Sequence, residues 1–180
     1  MVQRAFDPQW DGFAIGLSHW YTRVADLIVR GQSGYNSRWT LLTIPELIGS
    51  FTPDMCILFL GNNDSITSGT GQHVDVEEYR TNMMSIMYKF RDVNPNIVFL
   101  LLSPTRATKL GRLDAVTELY YNAVRDLSTQ IENTAFVDLW STDSSFWVDP
   151  VADLHDGLHL NSVGNQKVLS GMQYLLTIQT

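Results

Sequence analysis

Apolar positions along the chain keep two rhythms that take turns. Trp10, Phe13, Ala14, Leu17, Trp20 and Tyr21 fall close to a 3.6-residue period and predict an amphipathic helix. The next apolar run, Ala25 to Val29, is short and ends at Arg30-Gly31, so it predicts a strand entering a glycine loop. A helix is expected over Ser37 to Ile48, bent or interrupted at Pro45, whose ring removes a backbone donor. Met55 to Leu60 is apolar without alternation, the mark of a strand covered on both faces of a parallel sheet.

The second half repeats this order. Val76 to Val93 predicts a strong helix with Met83, Met84, Ile86, Met87 and Phe90 turned inward, and Asn94-Pro95-Asn96 stops it. Ile97 to Leu102 reads as a third strand, Leu113 to Gln130 as a helix, Phe136 to Trp140 as a fourth strand, and Asn161 to Leu176 as a closing helix. Buried strands alternating with helices predict a single three-layer α/β/α domain over residues 1–180, built on a parallel sheet.

Composition removes several classes of function. The 180 residues are 44% hydrophobic and 17% charged, within the range of compact folded chains. A net charge of −7, without any basic cluster, argues against a nucleic-acid partner. The single cysteine, Cys56, lies in an apolar strand and reads as a buried, inert thiol. The longest apolar run is far shorter than a membrane span, and the first residues resemble neither a signal nor a transit peptide, so an intracellular, cytoplasmic protein is expected. No residues have the spacing of metal ligands and no glycine loop suits a phosphate, so neither metal nor cofactor is expected.

Chemistry concentrates in three loops. In Asp156-Gly157-Leu158-His159 a carboxylate three residues before a histidine can fold back onto the imidazole, fix its tautomer and leave the other ring nitrogen free as a base. Gly34 can present a backbone N–H and Asn63 a side-chain amide, and together they suit an oxyanion hole. Tyr35 and Trp39 are candidates to line a substrate pocket beside them. Taken one at a time, these loops also read as a tight turn, an Asx turn and a solvated histidine.

The words around these residues resemble the GDSL or SGNH hydrolases, and within them the branch of isoamyl-acetate-hydrolysing esterases. They run Arg30-Gly31-Gln32-Ser33-Gly34-Tyr35-Asn36-Ser37-Arg38-Trp39, Phe59-Leu60-Gly61-Asn62-Asn63-Asp64-Ser65, Gln72-His73-Val74 with Glu77-Glu78-Tyr79, and Asp156-Gly157-Leu158-His159-Leu160 with Gly164-Asn165. The resemblance implies a flavodoxin-like sheet of order 2-1-3-4-5, with Gly34 and Asn63 as oxyanion donors, His159 as general base and Asp156 as its orienting carboxylate. It also implies a first central strand ending in Gly-Asp-Ser, whose serine is the nucleophile. By this alignment Met1-Val2-Gln3 stands just after that serine, so strand and nucleophile are expected ahead of the sequence.

Ser65, in Asn63-Asp64-Ser65-Ile66, imitates the nucleophile word but belongs to the block of the oxyanion donor, and Ser33 reads as a loop hydroxyl. The gap in the sheet can be filled by an upstream segment, by a strand from another protein chain, or by direct pairing of the flanking strands. Three readings follow. The first is a non-catalytic structural or accessory subunit completed by a partner in a larger assembly. The second is a serine esterase for short acyl esters whose nucleophile segment lies outside this sequence. The third keeps Gly34 and Asn63 as a binding site for a carbonyl or carboxylate ligand.

Overall fold

The computed structural model describes residues 4–107, 109 and 111–178, so the expected tail at Met1-Val2-Gln3 lies outside the described residues. After a 3₁₀ turn at Pro8–Trp10, the elements in order are α1 (Phe13–Trp20), α2 (Ser37–Ile48), β1 (Met55–Leu58), α3 (Val76–Val93), β2 (Val98–Leu102), α4 (Asp114–Gln130), β3 (Thr134–Val137) and α5 (Ser162–Ile178). The strands form one parallel sheet in the order β1-β2-β3, with Ile57 opposite Leu100 and Leu100 opposite Ala135. Among the described residues, no helix is long and apolar enough to cross a membrane.

Alternation along each strand divides the interior into two cores, because successive side chains leave opposite faces of the sheet. Leu100, Leu102 and Val137 pack with Phe13 and Leu17 of α1 and with Val168 and Met172 of α5. Phe99, Leu101 and Leu58 pack on the other side with Ile44 of α2, with Met83, Ile86 and Met87 of α3, and with Tyr120 and Val124 of α4. The α3 methionines are therefore core residues. Cys56 is buried, and desolvation pushes its thiol up to about 12, which makes it inert.

Two expectations are corrected. The last strand is Thr134–Val137, earlier than Phe136 to Trp140, because Asp138 turns the chain by accepting the N–H groups of Trp140 and Ser141 at 2.9 Å. Residues 25–30 run without regular secondary structure and join no ladder, so the predicted strand over Ala25 to Val29 is absent. A strand is a property of a pair, and among the described residues this segment has no neighbour in the sheet. Among the described residues, this segment does not pair directly with β1 either.

A cavity of about 1080 Å³ separates that segment from the free edge of β1. Leu27 and Val29 line it from one side and Met55 and Ile57 from the other, while Leu17 of α1 and Ile44 of α2 close its two faces. The cavity thus lies in the plane of the sheet, between both helical layers. It follows β1 from Asp54 to Asn63 and includes His159 in its lining.

Candidate active site

The loop that carries Asp156 and His159 is pinned at both ends. Leu154 and Leu160 form an isolated antiparallel bridge, and the N–H of His155 donates to the carbonyl of His159 at 2.9 Å. Leu154, Leu158 and Leu160 are buried anchors. Between them Gly157 takes φ +77°, a left-handed conformation open to glycine at little steric cost, and this turn folds Asp156 back over the loop.

Asp156 then meets His159 at 2.7 Å, carboxylate Oδ2 to ring Nδ1, and its Oδ1 accepts the N–H of Leu158 at 3.0 Å and of His159 at 2.8 Å. Partial burial acts to raise the Asp156 pKa, but the backbone donor, the imidazole and the N–H of Leu158 outweigh it and hold the carboxyl well below its usual range. The carboxylate is ionised at neutral pH. His159 is shifted down, first by desolvation and also by the Arg4 guanidinium, against the raising effect of Asp156. Its imidazole is therefore neutral near pH 7, with the Nδ1 proton directed at Asp156 and Nε2 free to accept a proton. Among the described residues, no side chain hydrogen-bonds that Nε2.

The two expected oxyanion donors come from separate loops that are stitched together. Asn63 Nδ2 donates to the carbonyl of Tyr35 at 2.7 Å, next to Gly34. Gln72 Nε2 donates to the carbonyl of Gly34 at 2.8 Å, and Asn36 Nδ2 donates to the carbonyl of Gln72 at the same distance. Asn36 also caps α2 through the N–H of Trp39, and Asp64 Oδ1 accepts the N–H of Ser37 at the same helix end. Gly34 has φ +74°, and a Cβ there would lie 3.1 Å from Gln72 Nε2. Gly34, Asn63 and His159 all line the one cavity, at the C-terminal end of β1. Parallel sheets place their sites at that end.

Of the remaining candidates, Tyr35 lines the cavity and Trp39 does not; Trp39 packs edge-on against Tyr35, with centroids 5.9 Å apart. Ser33 is exposed on the cavity rim. Ser65 is fully buried away from it, its Oγ held between Thr117 Oγ1 at 3.0 Å and the carbonyl of Asn62 at 3.4 Å.

Three features escaped the sequence reading. His155 stacks on Trp10 at 4.5 Å and bonds the Arg4 guanidinium at 2.9 Å through Nε2. His155, Asp156 and His159 offer ligand atoms within 4.8 Å of one another, a grouping set against a cation by the Arg4 charge. Arg112, far away in sequence, reaches Asn63.

The profile of the GDSL-like lipase/acylhydrolase family matches residues 3–167. The chain belongs to this family. It is 31% identical to the human isoamyl acetate-hydrolyzing esterase 1 homolog, over 95% of this chain and 76% of that protein. To a GDSL esterase/lipase of Arabidopsis thaliana it is 30% identical, over 86% of this chain and 73% of that one. Among solved structures, the acetyl xylan esterase AlAXEase superposes with a TM-score of 0.76 at 21% identity, covering 97% and 94% of the two chains. The GDSL-like fold is thus shared from end to end of that neighbour.

Proposed function

We propose that this GDSL-family chain forms the base and oxyanion parts of a serine esterase acting on short acyl esters. The observation that carries this reading is the convergence of His159, Asn63 and Gly34 on one cavity, with His159 neutral and oriented by Asp156. His159 Nε2 takes the proton of an attacking hydroxyl, Asp156 stabilises the imidazolium, and the Asn63 amide and Gly34 N–H receive the charge of the tetrahedral intermediate. His159 then returns the proton to the leaving alcohol. Crystal structures of Axe2, an acetylxylan esterase from Geobacillus stearothermophilus, include catalytic mutants at a serine, an aspartate and a histidine, the last two separated by three positions as Asp156 and His159 are.

The attacking hydroxyl comes, in this reading, from an extended segment seated in the cavity alongside β1. An acyl chain there would leave the edge N–H and C=O groups of β1 unpaired, at about 1–3 kcal/mol for each buried group, whereas a strand satisfies them. A strand parallel to β1 would end beside His159.

Incubation of the full-length protein with a fluorophosphonate, followed by peptide mapping, tests both points. Labelling of a serine that follows an apolar stretch, lost in His159→Ala along with p-nitrophenyl acetate hydrolysis, is the expected result. If the labelled peptide maps to a co-purifying chain, the strand is donated in trans. A folded protein that shows neither labelling nor turnover overturns the esterase reading in favour of an accessory subunit.

A further inference from the structure

A buried cation stands behind the oxyanion donor. Arg112 is 5% exposed, and its guanidinium spans two consecutive residues of the loop after β1. Nε donates to the carbonyl of Asn62 at 2.5 Å and Nη2 donates to Asn63 Oδ1 at 2.9 Å. The backbone brings it there: Arg112 and Ile66 form an isolated antiparallel bridge, and the N–H of Thr67 donates to the carbonyl of Gly111 at 2.8 Å. The segment before α4 is thereby sewn to the loop that bears Asn63.

This contact decides which way the Asn63 amide points. A guanidinium only donates, so the atom facing it must be the carbonyl oxygen, and Nδ2 must face the opposite way. One Nδ2 hydrogen is spent on the carbonyl of Tyr35 at 2.7 Å, and the second remains for an acceptor in the cavity. A charged donor on Oδ1 also draws electron density through the amide, which strengthens Nδ2–H as a donor. Desolvation lowers the Arg112 pKa, yet an arginine stays charged in proteins.

We propose that Arg112 is the positioning residue of the oxyanion donor: its guanidinium fixes and polarises the Asn63 amide so that Nδ2–H faces the reacting oxygen. The proposal rests on the esterase reading above for its kinetic consequence, and on the hydrogen bonds alone for its structural one. Lysine keeps the charge, but its ammonium lacks the planar fork that reaches Asn62 and Asn63 together.

The test uses the full-length protein with Arg112→Lys, Asn63→Ala and the double variant. Loss of one oxyanion donor typically lowers kcat by about 10²–10³. Arg112→Lys is expected to lower kcat by roughly 10–100-fold with KM nearly unchanged, and to add nothing in the Asn63→Ala background. In ¹H–¹⁵N spectra the Asn63 side-chain pair, assigned by its loss in Asn63→Ala, is expected to be well separated and to collapse towards free-amide positions in Arg112→Lys. An Asn63 pair unmoved by Arg112→Lys, or additive losses in kcat, overturns the proposal. An Asn63 pair that responds in a protein without ester turnover leaves the positioning intact and removes the esterase reading instead. If Arg112→Lys does not fold, Arg112→Gln carries the same comparison.

Discussion

Asp156 grips His159 at two points, ring Nδ1 at 2.7 Å through one carboxylate oxygen and backbone N–H at 2.8 Å through the other. The first contact fixes the tautomer and the second fixes the loop from which the ring projects. Asp156→Asn keeps an oxygen for the backbone N–H but turns the ring-facing group into one that can donate, which favours the wrong tautomer. A fall in kcat of about 10⁴ is expected, from the known effect of that change in Ser-His-Asp triads, with the melting temperature shifted by only a few degrees. Steady-state hydrolysis of p-nitrophenyl acetate beside thermal melts separates the two effects.

In the proposed esterase mechanism His159 is the base, so its downward shift sets the acid limb of that activity. The base must be neutral, so kcat/KM is expected to rise with pH through a midpoint below 6.5, the ordinary histidine value, and to be flat at neutral pH. Arg4 contributes to that shift by its positive charge, so Arg4→Ala should move the limb to higher pH. A pH–rate profile of both proteins checks the order. A limb that stays put or moves to lower pH in Arg4→Ala contradicts this electrostatic account.

Asp64 lies in the loop of Asn63, fully buried, with Oδ1 on the N–H of Ser37 and Oδ2 without a hydrogen-bond partner among the described residues. Burial raises its pKa from 3.8 to about 6, against the lowering effect of the Ser37 bonds. A carboxyl raised on folding contributes stability that is complete below pH 3.8 and is lost as pH rises through about 6. A shift of this size corresponds to about 3 kcal/mol. Urea denaturation at pH 4.5 and pH 7.5 should show Asp64→Asn gaining on the wild type by about 2 kcal/mol as pH rises, the part of that window above pH 4.5. Equal pH dependence of the two proteins would rule the buried carboxyl out as its source.

Gly164 is a matter of space. In the first turn of α5, a Cβ at this position would lie 2.4 Å from the carbonyl oxygen of Asp153, a backbone atom at the base of the His159 loop. Gly164→Ala must push α5 and that loop apart, at a cost of roughly 1–3 kcal/mol of overpacking. Under the proposed esterase function, activity should fall further than the loss of folded protein explains, because the displaced loop carries His159, the proposed base. Comparing kcat with the folded fraction from circular dichroism at one temperature checks this.

Part of the candidate site's geometry was legible because it depends on local spacing. Asp156 and His159 lie three apart, and one glycine between them supplies the turn, so proximity followed from the sequence. The words around Gly34 and Asn63 located both loops, and the strand-then-loop order put them at one end of the sheet. Arg112 and Arg4 carried no such signal. Each reaches its partner across folded distance, Arg112 to Asn63 and Arg4 to His155, in stretches of sequence that look like ordinary loop.

The sequence by itself determined the layers, the parallel sheet and the family, since apolar period and short motifs are properties of contiguous residues. It misjudged Ala25 to Val29, where composition says strand and the structure has an irregular segment beside a cavity. Hydrophobic pattern reports what a segment can bury, whereas a strand needs a neighbour with free hydrogen-bonding groups at ladder distance, and only the tertiary arrangement decides whether that neighbour is present. The same holds for charge: the shifts at His159, Asp156 and Asp64 come from burial and from donors brought by other loops. Those contacts exist only once the chain has closed.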